Sequence, residues 1–209
     1  ASRSMEPRLN SPGLATPTAS IFVPIFVHQF IHLEGDDADD ETGGQGQKDH
    51  PLTESSATFL LFGATGDLAR RMIFPSLYNL LSDGLLPDDF LIVASGRSEM
   101  SDDAFRADVD AALHQFLAAE RYDAATAARF GQMIAYQPVE AGKPEQFAAL
   151  SERIDGRLER GMSVYLSTPP SLFAPTAQGL AEAGLITPKT RIAMEKPIGK
   201  DLASSKEVN

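Results

Sequence analysis

Gly63, Gly66 and Ala69 stand at even spacing directly after the apolar run FLLF. Glycine at such a junction lets backbone N–H groups approach a phosphate, and a helix opening there aims its unpaired N–H groups at the same anion. The pattern is Gly-x-x-Gly-x-x-Ala, and its second half matches the dinucleotide fingerprint. Gly66 would let the backbone approach a pyrophosphate, and Ala69 is small enough for close contact between helix and strand. A plain strand-turn-helix junction is the alternative reading of the same residues. A P-loop would close with Gly-Lys-Ser/Thr, whereas Gly66 is followed by Asp67 and Leu68. Asp67 suits the first turn of a helix, although a carboxylate beside bound phosphates is unfavourable.

Two further stretches carry charge where a ligand could use it. FLIVASGRS ends in Ser95, Gly96, Arg97 and Ser98, with no acid until Glu99. A site for NAD places a carboxylate near this strand end to bond the ribose 2'-hydroxyl. Arg97 is instead suited to a 2'-phosphate, because guanidinium binds phosphate oxygens through paired donors. The expected cofactor is therefore NADP, with a solvated loop arginine as the alternative. In MEKPIGKDLASS the pair Glu195-Lys196 stands directly before Pro197. Doubly wound sheets place ligands at such carboxyl ends of strands.

These residues need a frame. Short apolar runs near 58–62, 90–94, 133–136, 163–167 and 191–195 read as strands, each followed by a helical pattern. In the clearest helix Ser101 is the N-cap, Asp102 and Asp103 favour the first turn, and Phe105, Val109, Leu113, Phe116 and Leu117 form one apolar stripe. His114 beside that stripe reads as a packing or surface residue. Successive strands joined by helices imply a parallel sheet with right-handed crossovers. The expected fold is α/β, a doubly wound parallel sheet of the Rossmann type.

Bulk composition limits the partners. The 209 residues carry a formal net charge of −11, and no Lys/Arg cluster suits a nucleic-acid backbone or an anionic membrane. The absence of cysteine fits a reducing, cytoplasmic setting. Residues 1–56 combine a Pro/Ser/Thr-rich segment with the acidic run EGDDADDETGGQGQKDH and read as a disordered extension, leaving 57–209 as the folded domain. Within the extension, IFVPIFVHQFIHL is too short to span a bilayer. His28 and His32 would share a helix face there, but no third ligand accompanies them, and no metal is expected.

Taken together, the motifs resemble glucose-6-phosphate dehydrogenase. GATGDLARR is similar to that family's GASGDLA loop, and DGLLP, YLSTPPSLF and EKPIGKDLASS occur in the family's order. The resemblance runs from Thr58 to Asn209, the amino-terminal dinucleotide domain of the family. It implies that Gly63, Ala64, Thr65, Gly66, Asp67, Leu68, Ala69 and Arg70 wrap the NADP phosphates and that Arg97 takes the 2'-phosphate. It also implies that backbone around Ser167, Thr168 and Pro169 borders the cofactor, and that Lys196 lies between nicotinamide and the substrate, glucose 6-phosphate. Phe173 replaces a tyrosine common at its place, which removes a hydroxyl and keeps a ring.

The family carries its catalytic histidine in a segment written RIDHYLGKE, and this sequence has no such segment. The resemblance therefore implies a cofactor-binding part without a base for turnover. No catalytic residue is assigned here, and a homo-oligomer is expected only of a full-length protein. Two other classes share features. Dehydrogenases of the glucose-fructose oxidoreductase type combine a dinucleotide fold with an EKP segment but open with G-x-G-x-x-G. A non-catalytic NADP sensor similar to atypical short-chain reductases would also use GATG, usually with Gly where Ala69 stands.

Overall fold

The computed structural model describes residues 57–154 and 156–194. The expected extension 1–56, with His28 and His32, and the Glu195-Lys196-Pro197 segment lie outside the described residues.

Strand β1 (Thr58–Phe62) is buried along its whole length. Its side chains alternate between two cores: Phe59 and Leu61 join one cluster, Leu60 and Phe62 the other. A strand apolar on both faces needs cover on both, which is the situation of a central parallel strand. On either side lie β2 (Leu91–Gly96) and β4 (Met162–Leu166), with β3 (Ile134–Pro138) outside β2 and β5 (Thr190–Met194) outside β4. All four pairings are parallel, in the order β3-β2-β1-β4-β5. The direction in which successive strands are added thus reverses between β1 and β4. The expected doubly wound parallel sheet is the observed one.

Helix α1 (Phe74–Ser82) follows β1, α2 (Asp102–Phe116) and α3 (Ala124–Gln132) both lie between β2 and β3, α4 (Pro144–Ile154) precedes β4, and α5 (Phe173–Glu182) precedes β5. Helices α1 to α3 cover one face of the sheet, α4 and α5 the other. Ser101 caps α2 as expected, its hydroxyl accepting from the Ala104 N–H at 3.2 Å. The stripe ends less regularly than expected. Phe105, Val109, Ala112 and Leu113 are buried, Leu117 packs half-buried against the same core although its backbone has left the helix, and Phe116 offers its ring to the Arg71 guanidinium at 5.4 Å. His114 lies on the surface, 3.8 Å from Asp110 and against the Tyr122 ring.

Helix α4 packs on α5 through Gly179, where a Cβ would come within 2.6 Å of the Phe147 ring. Asp102 ties three elements together. Its carboxylate accepts from the Tyr136 N–H of β3 at 2.8 Å and from Arg153 of α4 at 2.9 Å.

Candidate functional site

The chain leaves β1 through Gly63, whose φ is +79°. A Cβ there would lie 2.1 Å from the Ser167 carbonyl oxygen. Only glycine satisfies both the left-handed backbone and that approach. The loop is then pinned on its other side, since the Ala64 N–H donates to the Ser95 carbonyl at 2.9 Å. Gly66 folds back on Gly63, its N–H donating to the Gly63 carbonyl at 2.9 Å, and a Cβ on Gly66 would meet that same oxygen at 3.0 Å. The sequence asks for glycine at position 66 so that the backbone can approach a ligand; the fold adds a separate demand for glycine at Gly63.

A helical turn opens at Asp67 and widens into a π-turn over Ala69–Ile73 before α1 begins. Pro75 explains the widening: it has no N–H to donate, and its ring would clash with the carbonyl of a regular preceding turn. The Ser76 hydroxyl takes up the Met72 carbonyl at 2.6 Å. The first-turn N–H groups of such a helix have no partner within it, and the helix opens directly after the glycine turn. Asp67 points its carboxylate at Arg71, 3.4 Å away on the exposed surface, which offsets the unfavourable charge near an anion.

At the carboxyl ends of β1 to β4 lies a cleft of about 440 Å³. Phe62, Gly63, Thr65 and Gly66 form one wall, Ser95, Gly96 and Arg97 a second, Val139 to Gly142 a third, and Ser167, Thr168, Pro169, Leu172 and Thr176 the fourth. Gly96 allows β2 to approach the loop: a Cβ there would meet the Tyr136 hydroxyl at 3.0 Å and Thr65 at 3.3 Å. The Tyr136 hydroxyl donates to the Ser98 carbonyl at 2.7 Å, which sets the course of the Arg97 segment. Burial, with help from Glu99, pushes the Tyr136 phenol up, so it remains a donor. Among the described residues the ionisable groups lining the cleft are Arg97 and Glu140. The Ser95 and Thr168 hydroxyls are buried in its lining without a hydrogen-bond partner in the protein.

Of the residues singled out from sequence, the cleft brings together Gly63, Thr65, Gly66, Arg97, Ser167, Thr168 and Pro169. Ala64 and Ala69 are buried behind the loop, Leu68 packs half-buried against the core, and Asp67 faces solvent. Arg70 lines a separate small crevice with Phe105 and Asp108. Lys196 lies outside the described residues. The Val139–Gly142 turn and Thr176 were not foreseen. The turn could have been found, since it follows the third strand's carboxyl end, where a doubly wound sheet places ligands.

A five-stranded parallel sheet in this order, with a glycine turn opening a helix beside the point of reversal, defines a dinucleotide-binding domain of the doubly wound α/β class. Residues 60–209 match the family described as glucose-6-phosphate dehydrogenase, NAD binding domain, and the chain belongs to that family. The glucose-6-phosphate 1-dehydrogenase of Zymomonas mobilis is 46% identical over 158 residues, covering 76% of this chain and 32% of the relative. That of Helicobacter pylori strain J99 is 38% identical over 151 residues, 71% of this chain and 33% of the relative. The crystal structure of the Mycobacterium avium glucose-6-phosphate 1-dehydrogenase superimposes with a TM-score of 0.67 at 31% identity, covering 73% of this chain and 32% of that one. A glucose-6-phosphate dehydrogenase in complex with its substrate, glucose 6-phosphate, gives 0.62 at 28% identity over 72% of this chain and 32% of that one. The chain thus spans about a third of the length of these relatives. A nicotinamide cofactor is the ligand class for this domain.

Proposed function

We propose that this chain is the NADP-binding part of a cytoplasmic, homo-oligomeric glucose-6-phosphate dehydrogenase, which oxidises glucose 6-phosphate to 6-phosphogluconolactone. The observation that carries the choice of cofactor is Arg97, which follows β2 and shares one cleft with Gly63 and Gly66. A glycine turn and helix start suit a pyrophosphate, and a guanidinium at the second strand's end suits a 2'-phosphate. The unpartnered Ser95 and Thr168 hydroxyls leave hydrogen-bonding capacity for a polar ligand in the same space. Bound NADP would supply the hydride acceptor. Residues Gly63 to Arg70 and Ser167 to Pro169 would hold and orient it, and Lys196 would stand between it and the sugar phosphate.

The described part of the cleft offers no competent proton acceptor. The Arg97 guanidinium offers only donors, and the Lys143 ammonium bonded to Glu140 holds its carboxyl below the usual carboxylate range. A positioned base contributes typically about 10²- to 10⁴-fold to such an oxidation. In this reading the described part of the cleft binds cofactor and does not itself supply the base for turnover. The test is calorimetry of NADP and NAD on the full chain, alongside absorbance of reduced nicotinamide with glucose 6-phosphate present. NADP binding tighter than NAD, with no reduction, is expected. Failure to bind either nucleotide would remove the reading.

A further inference from the structure

The β2–β3 ladder closes on the pair Gly96–Pro138, with the Val139 N–H donating to the Gly96 carbonyl at 2.9 Å. That register sets Arg97 opposite Val139, one residue before Glu140, and Arg97 and Glu140 both line the cleft. Glu140 is held from three directions. Its N–H donates to Gln146 Oε1 at 2.6 Å, its carbonyl accepts from the Lys143 N–H at 2.9 Å, and its carboxylate takes Lys143 Nζ at 2.9 Å.

Resting on the reading of the cleft as an NADP site, we propose that Glu140 sets the discrimination between NADP and NAD, opposing the 2'-phosphate at Arg97 and accepting from the 2'-hydroxyl when the phosphate is absent. A 2'-phosphate at Arg97 must be held in a cleft that already contains the Glu140 carboxylate. Both side chains are solvent-exposed, so solvent and salt screen that opposition and it weakens NADP binding without preventing it. An unphosphorylated ribose meets the opposite situation, because a hydroxyl donates well to a carboxylate. Lys143 moderates both effects by partly neutralising Glu140. Lys143 holds the Glu140 carboxyl below the ordinary carboxylate range, and Arg97 in the same cleft adds a smaller attraction. The chain accordingly takes both dinucleotides, with a preference for NADP smaller than Arg97 alone would give.

Dissociation constants for NADP and NAD, measured by calorimetry on the full chain and its variants at fixed salt, test this. Glu140→Gln removes the charge at nearly constant shape, and the NADP over NAD preference should rise about tenfold, with tighter NADP and weaker NAD. Lys143→Met leaves the carboxylate uncompensated, and the preference should fall several-fold. Glu99→Gln removes an equal charge outside the cleft lining and should leave the preference within about twofold. If Arg97→Ala abolishes the NADP preference while Glu140→Gln leaves the ratio unchanged, the role of Glu140 is overturned and the NADP reading stands. If Arg97→Ala leaves NADP binding intact, or the wild-type chain binds neither nucleotide, the NADP reading fails and the proposal with it. Equal shifts for Glu99→Gln and Glu140→Gln would reduce the effect to overall charge and also overturn it.

Discussion

The two ends of the cleft are built by opposite means. At the β1–β4 junction the contacts are backbone against backbone: Gly63 lies on the Ser167 carbonyl, and the Ala64 and Ser167 N–H groups donate to Ser95 and Phe62. At the β2–β3 lip stand exposed charged side chains: Arg97, and Glu140 joined to Lys143 by a surface ion pair. Backbone contacts of the first kind tolerate little change, because no rotamer can relieve a clash with a carbonyl. Exposed ion pairs contribute little to stability, so residues at the lip can change without unfolding the domain. A binding site divided in this way has one end fixed by the fold and another free to choose among ligands.

The sharpest way to break the comparison is Gly63→Ala. The left-handed backbone and the 2.1 Å approach to Ser167 should together destabilise by about 3 kcal/mol or more. Urea denaturation would measure the loss, and whatever remains folded should lose NADP and NAD binding together. A fully stable Gly63→Ala protein would mean that the junction is not fixed by backbone packing.

At the other end, Arg97→Ala should leave the urea midpoint unchanged and weaken NADP by about 1.5 to 3 kcal/mol, ten- to a hundredfold, with NAD little affected. Titrating both cofactors by calorimetry decides it, and an equal loss for both would place the 2'-phosphate elsewhere. Gly179→Ala probes the packing of α4 on α5, which lies behind both ends. Overpacking against Phe147 should lower stability by about 1 to 3 kcal/mol while the ratio of NADP to NAD affinity stays constant.

The smallest effect concerns Asp102. Burial raises its carboxyl, but the Tyr136 N–H and Arg153 outweigh this and hold it below the ordinary 3.8. A depressed folded value contributes stability that is present above 3.8 and lost as pH falls through the folded value. Asp102→Asn should therefore cost about 1 kcal/mol near neutral pH and make the acid limb of the urea-midpoint profile shallower below the ordinary carboxylate range. An unchanged acid limb would show that the tie between α2, β3 and α4 contributes nothing.

Much of this fold was legible because its strands are short, apolar on both faces and separated by helical periods. FLLF and SVYL announce buried parallel strands, and Ser101 with Asp102 and Asp103 announces a helix start. Arg97 was legible for a similar reason, since a strand's carboxyl end limits where a charge can face. The rest depended on residues distant in sequence. That Gly63 bears a steric demand of its own follows from Ser167, which no local pattern connects to the loop. Ala69 packs in the core as its small size predicts, whereas Ala64 and Leu68, which belong to the motif as written, also serve the core behind it. The π-turn follows from Pro75, whose effect on the preceding carbonyls spacing rules do not express. Glu140 escaped notice because an acid in a turn carries no signal until β3 is known to lie beside β2.

The Gly63–Ser167 contact has a consequence for motion. With no side chain between the two loops, neither can swing without carrying the other, so the floor of the cleft moves as one piece with the centre of the sheet. The Ala64 and Ser167 amides, both bonded across strands, should then exchange their protons with solvent only when the central strands open together. The Glu140–Lys143 turn has no such anchor in the sheet and should exchange orders of magnitude faster. Entry of a long, flexible nucleotide would accordingly proceed by displacement of the charged rim over an unmoving base.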